Sequence, residues 1–414
     1  KFFPKNNIVK YLKVRGSYGE VGNDQIGGDR FLYLPSSYGA ASDSGVNKYN
    51  FGLASNPYTS LMIVENKIGN PDLTWEKAKK MNVGVDINLF NNCLTASFDI
   101  FKEKRNNILA NRSTSPMIIG ANLPAYNFGE MENRGWEMDL NFRHHIQDFH
   151  YWARFNYSFA RNEIIYMDEV QKRYDYQMTT GRRKNQFFGL IFDGYYNSWE
   201  EINALDRPKS SWSGNQLQPG DVKYIDVNQD GVIDDYDMVP IGYTPVPEII
   251  YGFSFGAQYK GFDFSILFQG ADNVSIKYFG RSMWPFAKGE ESAKSLIKER
   301  WTQERYEAGE KITFPRLSLN PNGETDHNYR PSTLWIRDAS YLRLKNLEVG
   351  YTFTGGFVKR LNLNSVRLYF NGSNLFTWTD VVDLDPEAPS RSGNVEINTY
   401  PLQKVYNIGL NINF

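Results

Sequence analysis

The C-terminal residues limit the fold most tightly, because Tyr406, Ile408, Leu410, Ile412 and Phe414 alternate with Asn407, Gly409, Asn411 and Asn413. Side chains of a β-strand point to opposite faces in turn, so this period of two describes a strand with one apolar and one polar face. The pattern recurs. Val83, Val85, Ile87 and Leu89 oppose Asn82, Gly84, Asp86 and Asn88, and after Asn91 and Asn92 come Leu94, Ala96, Phe98 and Ile100 opposing Thr95, Ser97 and Asp99. Trp136, Met138, Leu140 and Phe142 are followed by Tyr151, Ala153, Phe155, Tyr157 and Phe159 in the same alternation. Tyr251 to Tyr259 and Phe262 to Phe268 repeat it around Lys260 and Gly261, the residue types of a tight hairpin turn. Val9 to Gly19, Tyr341 to Phe353 and Ser365 to Asn374 raise the expected count to ten strands. Within Tyr341 to Phe353 the apolar phase switches between Leu344 and Leu347, which predicts a β-bulge near Asn346.

The links between these strands alternate in length. Short ones fall at 91–92, 146–150, 260–261 and 354–364; long ones run over 20–75, 106–132, 164–248, 271–340 and 375–403. A bacterial outer-membrane barrel has short periplasmic turns and long extracellular loops, so this parity predicts an all-β fold, a transmembrane antiparallel β-barrel with long extracellular loops, over residues 1–414 as one domain. A soluble all-β domain is the competing reading, and it has no need of such parity. Composition agrees with the membrane reading. Aromatic residues make up 15% of the chain, mean hydropathy is −0.53, and no apolar run approaches the roughly 18 residues of a membrane helix. A barrel strand exposes only alternate residues to lipid and stays half polar. A net charge of −1 with no Lys/Arg block argues against nucleic acid. The one cysteine, Cys93, excludes an intrachain disulfide. Lys1 opens without an initiator Met or signal peptide, so the start reads as processed or missing.

The sharpest chemical motif lies in the 164–248 loop. Asp226, Asn228, Asp230 and Asp237 stand at positions 1, 3, 5 and 12 of an EF-hand-like loop, with Gly231 at 6, the Val232 carbonyl at 7 and Asp234 at 9. These oxygens suit a hard cation, and calcium fits better than magnesium because the loop offers many carboxylates. Asp237 replaces the usual Glu and is one methylene shorter, which predicts weak affinity and a structural role. A metal-free loop of Asx turns is the alternative. Residues 290–307 read as one amphipathic helix through Ala293, Leu296, Ile297, Arg300 and Trp301. Loop tryptophans Trp199, Trp212, Trp284, Trp301 and Trp335 are expected to pack more than to bind. His144, His145 and His150 read as turn-proximal residues, His327 is the remaining histidine, and no nucleophile, zinc or phosphate motif appears. The chain is therefore expected not to be an enzyme.

Several short stretches, in this order, resemble the SusC/RagA family of TonB-dependent outer-membrane transporters. They include Leu12-Lys-Val-Arg-Gly-Ser-Tyr-Gly19, Asn70-Pro-Asp-Leu-Thr-Trp-Glu76, Asn133-Arg-Gly-Trp136, Gly220-Asp-Val-Lys-Tyr224, Asp338-Ala-Ser-Tyr-Leu-Arg-Leu-Lys345 and Asn371-Gly-Ser-Asn-Leu-Phe376. The resemblance implies a barrel of about 22 strands around an N-terminal plug, of which this chain supplies about ten. It also implies a SusD-like surface lipoprotein as lid, energy from the TonB complex through the missing N-terminal part, and an oligosaccharide or oligopeptide substrate. The terminal Phe414 would serve as the assembly signal. A passive porin and a ten-stranded outer-membrane hydrolase are the alternatives. In the transporter reading, Val9 to Gly19 does not close onto Val405 to Phe414.

Overall fold

The computed structural model describes the chain except for residues 1–5, 7, 25–30, 35–38, 41–47, 54–57, 65–67, 115–122, 213–216, 279–283, 287–294, 319–325, 383 and 388–400. Ten long strands form one sheet: β1 (Val9–Asn23), β2 (Glu76–Leu89), β3 (Leu94–Ala110), β4 (Tyr126–Ile146), β5 (Phe149–Tyr166), β6 (Ile249–Tyr259), β7 (Phe262–Asp272), β8 (Tyr341–Phe353), β9 (Ser365–Thr379) and β10 (Val405–Asn413). Each pairs antiparallel with its neighbour in sequence. Among the described residues β1 and β10 are the two edges and do not pair with each other, so the sheet is an open wall and not a closed barrel of ten.

Register keeps the two faces chemically distinct across the whole wall. One apolar row runs Ile87, Ala96, Leu140, Phe155, Phe253, Phe268, Leu344 and Phe376. The adjacent row on the other face runs Asp86, Ser97, Asp139, Asn156, Gly252, Gln269, Arg343 and Thr377. The expected bulge is present: both neighbours of β8 slip between Leu344 and Asn346, leaving Lys345 unpaired and the apolar phase restored. Apolar side chains of the outer face lie open, with Ile408 80% and Phe262 61% exposed. An apolar band of this extent requires a lipid neighbour.

The tightest links turn through left-handed residues, while the 354–364 link holds a short helix, Gly356–Arg360. Lys260 (φ 45°) and Gly261 (φ 91°) are both positive, the signature of a two-residue turn whose twist matches the strands. A Cβ on Gly261 would come within 2.7 Å of the Thr352 carbonyl. The first hairpin turns over Phe90 to Cys93, closed by the Cys93 N–H donating to the Phe90 carbonyl at 3.1 Å.

Two expectations need correction. Strands β1, β3, β4 and β5 run past their alternating segments, because pairing continues after the outer face changes from apolar to charged, as at Lys102, Lys104, Glu130 and Glu132, while β9 runs on past Asn374 with Phe376 and Trp378 still apolar on the outer face. Residues 290–294 lie outside the described residues, and over the described part, 295–307, the expected single helix is not formed. Ser295–Glu299 is a 3-10 turn and Gln303–Glu307 a short α-helix. The chain breaks between them because the Trp301 N–H donates to the Phe314 carbonyl at 2.8 Å, and Thr302 is extended and caps Arg305.

The buried apolar core lies in the long loops and not in the sheet. Leu190, Val222, Tyr278, Phe314, Tyr329 and Trp335, from the loops after β5 and β7, are almost fully enclosed, and Val381 joins them from the loop after β9.

Candidate functional site

The three long loops after β5, β7 and β9 fold together into one body at the long-loop end of the wall. Trp335 stacks on Tyr329 at 5.4 Å between ring centroids, meets Phe314 edge-on at 5.5 Å, and donates its indole N–H to the Asn328 carbonyl at 2.8 Å. Trp284 and Trp301 are also buried, and Trp212 packs against the same core under Arg330. Packing thus accounts for four of the five loop tryptophans. Trp199 is half exposed.

A buried polar frame runs through this core. The Asp221 carboxylate pairs with Arg316 and accepts from the Asn328 amide at 2.7 Å, while the Asn328 oxygen accepts from the Val222 N–H at 2.9 Å. His327 donates Nε2–H to the Val222 carbonyl at 2.8 Å, which leaves Nδ1 to accept from the Ser210 hydroxyl at 2.9 Å. Burial pushes the His327 pKa down, so the imidazole is neutral at neutral pH. A serine beside a histidine is also the start of a hydrolytic pair. Here Tyr224 closes edge-on over the ring at 5.2 Å inside the core, and the pair fastens the Lys209–Ser210 strand to the body.

The EF-hand-like loop sits on this body's surface. Asp226 accepts from the N–H groups of Gln229 (2.7 Å) and Gly231 (2.8 Å), and Asn228 accepts from Asp230 N–H at 3.0 Å. Asp230 accepts from Val232 N–H at 3.0 Å, and Asp234 from Tyr236 N–H at 2.7 Å. Asp237 is fully buried and accepts from Val227 N–H at 2.8 Å and Asp234 N–H at 2.9 Å. Burial, and to a lesser extent the charge of Asp226, raise the Asp237 pKa against these N–H bonds. Among the described residues no three acidic, His or Cys side chains meet as a ready-made cage. The loop is held from outside as well, by Tyr176 and Gln177 donating to the Tyr236 and Asp235 carbonyls, each at 2.7 Å.

The polar face of the wall carries organised charge. Arg15 reaches across two strands to Asp86 (2.9 Å) and Asp99 (2.7 Å), and Arg367 does the same to Asp263 and Glu348. Arg343 is the most enclosed of these cations at 1% exposure, held by Asp385 and Glu387, each at 2.7 Å. Both carboxylates belong to the loop after β9, so a segment of the extracellular body folds back against the lumenal wall. At the opposite rim His145 faces His150 across a hairpin, and the Tyr151 hydroxyl lies 3.2 Å from His144 Nδ1, as turn-proximal residues should. Sequence reasoning missed His327, Asp221 and the Arg343 clamp. Arg343 carried one usable signal, a cation alternating with Leu342 and Leu344 and followed by Lys345 in the same phase of β8.

Residues 1–375 match the family described as TonB dependent receptor-like, beta-barrel. TonB-dependent receptor P3 of Formosa agariphila is 27% identical over 432 residues, covering 100% of this chain and 40% of that protein. TonB-dependent receptor SusC of Bacteroides thetaiotaomicron is 26% identical over 419 residues, with 100% and 38% coverage. Among solved structures, the RagAB peptide transporter superposes with a TM-score of 0.71 at 24% identity, covering 100% of this chain and 42% of that one. At that identity the likeness speaks for the fold. The chain spans about two fifths of the length of these relatives.

Proposed function

Because the chain belongs to the TonB dependent receptor-like, beta-barrel family, and so to outer-membrane transporters and receptors and not to enzymes, we propose that it forms wall and extracellular loops of an importer for an oligomeric nutrient. The observation that carries this reading is the two-faced wall, apolar outward and charged inward, capped by a body whose loop returns to grip Arg343 on the lumenal side. Such a wall suits a larger barrel, because ten strands enclose too narrow a lumen for a plug whereas about 22 hold one. Energy would come through TonB, and a SusD-like surface lipoprotein would cover the extracellular body. The likeness to the RagAB peptide transporter favours a peptide cargo over a glycan.

Calcium at Asp226, Asn228, Asp230, Val232, Asp234 and Asp237 belongs to the same proposal, as a structural ion that neutralises the acidic turn. The test of import uses the whole protein in the outer membrane and labelled oligopeptides and oligosaccharides as probes. Uptake should require both the protein and TonB. Uptake that persists without TonB identifies a passive pore and overturns the reading.

A further inference from the structure

The lipid-facing side of β3–β5 turns from apolar to cationic in a single step. Val83, Ile100, Trp136 and Phe159 lie side by side in register. Two residues further along each strand, toward the long loops, the same face presents Met81, Lys102, Arg134 and Arg161, again side by side. Beyond them come Lys79, Lys104, Glu132 and Glu163. Like charges directly opposite on neighbouring strands repel and destabilise a sheet. Here three cations stand in one row, and Lys79 opposes Lys104 in the next.

The carboxylates that partner Lys102, Lys104 and Arg134 lie further out, and Glu248 beside Ala160 serves, among these cations, Arg161 alone. Lys102 reaches Glu132 at 2.9 Å, Lys104 reaches Glu130 at 2.8 Å and Arg134 approaches Glu163 only to 3.9 Å, while Arg161 is held by Glu248. No acidic residue occupies the first row. Lys102 and Arg134 remain 49% and 61% exposed. Height fits as well: Leu94 to Lys102 is about nine residues, the length a tilted strand needs to cross the hydrocarbon. The row therefore stands where the headgroups of the outer leaflet begin, with Trp136 stacked on Tyr157 at 4.7 Å just beneath, as interfacial aromatics stand.

We propose that Lys102, Lys104 and Arg134 form a docking surface for the phosphate-bearing headgroup of an outer-leaflet glycolipid. A phosphate at this height resolves the repulsion within the row. Arg134 offers a planar fork matched to two phosphate oxygens, and the lysines add compact charge on either side. Glu130, Glu132 and Glu163 stand on the solvent side of the row, with Glu130 and Glu163 part exposed, and repel soluble anions, so the surface favours an anion arriving in the plane of the membrane. The inference rests on the outer-membrane placement of the wall and is independent of the cargo.

The whole protein, extracted from outer membranes in mild detergent, is compared by native mass spectrometry with the triple variant Lys102→Gln/Lys104→Gln/Arg134→Gln and with Lys13→Gln on the lumenal face. Neutralising one cation beside an anionic headgroup weakens binding about fivefold, so three together should weaken it on the order of a hundredfold. Phosphorylated glycolipid should be lost from the triple variant and retained by Lys13→Gln. In nanodiscs, the wild type should bind intact glycolipid about tenfold or more tighter than the enzymatically dephosphorylated form, and inorganic phosphate should not displace it. Equal retention by the triple variant and the wild type, equal binding of dephosphorylated glycolipid, or displacement by inorganic phosphate each overturns the proposal. If the triple variant fails to assemble, the wild-type titrations decide alone.

Discussion

Replacing Arg343 with Met should free the returning loop while leaving the wall intact. Arg343 is 1% exposed and bonds Asp385 and Glu387 at 2.7 Å each, so its loss strands two carboxylates in a poorly solvated place. Breaking a buried pair by removing one partner costs about 3–5 kcal/mol. The lower end applies, roughly 3 kcal/mol, because Glu387 keeps Lys345 at 3.3 Å and the Tyr341 hydroxyl at 2.7 Å. That energy corresponds to an open population raised about a hundredfold. The amides of Glu387 and Leu402 donate to the Asp385 carboxylate at 2.9 and 3.0 Å and report opening directly. Their hydrogen exchange should accelerate about a hundredfold in the variant, with β7 amides such as Gly270 unchanged. Burial opposes ionisation of Asp385, yet Arg343 and the two N–H groups outweigh it and hold the carboxyl below its ordinary value. A depressed carboxyl lends stability above its unfolded pKa that disappears as pH falls through the folded one. Wild-type exchange should therefore approach that of the variant only below about pH 4. If Arg343→Met leaves the Glu387 and Leu402 amides exchanging at the wild-type rate at neutral pH, the clamp does not hold the loop.

Asp230→Ala should abolish calcium-dependent protection of the 164–248 loop from protease without reducing assembled barrel, and unchanged protease sensitivity of the wild type on calcium titration removes the cation proposal. Since burial raises the Asp237 pKa, ionising it costs stability as pH rises through that value, and calcium should offset the cost; protection should therefore fade as pH falls through the raised pKa. Trp335→Ala should destabilise the loop body by about 3–5 kcal/mol, read as loss of protease resistance in the loops while the barrel keeps its heat-modifiable migration on gels. Phe414, 86% exposed on the apolar phase, should tolerate Asp worse than Asn413 does, measured as assembled protein in the outer membrane; equal amounts of the two variants contradict the lipid-facing assignment.

The wall was legible because each of its strands separates lipid from lumen, and that boundary imposes a period of two wherever it exists. Even the irregularity in β8 was legible, since Leu344 and Leu347 cannot share a face without an extra residue, and Lys345 is that residue. Strand ends were not, because beyond Ile100 and Trp136 the outer face leaves the hydrocarbon and alternation loses its cause while hydrogen bonding goes on. The loop body was opaque for a different reason. Asp221 finds Arg316 and Asn328 about a hundred residues away, and no local period announces such a meeting. The helix expected over 290–307 failed in its described part, 295–307, on the same ground: Trp301 is claimed by Phe314, a partner outside the window in which its spacing looked helical.

The separation of wall from core also sets an order in time. Neighbouring strands are neighbours in sequence, so the sheet can grow hairpin by hairpin from local encounters. The body cannot. Val222, Ile276, Trp335 and Val381 sit in loops on either side of β6, β7, β8 and β9, so their contacts become available only when those strands stand side by side. The outer surface is thus the last part to become solid, and until the final hairpin is in place the loops remain open to chaperones, proteases and competing chains.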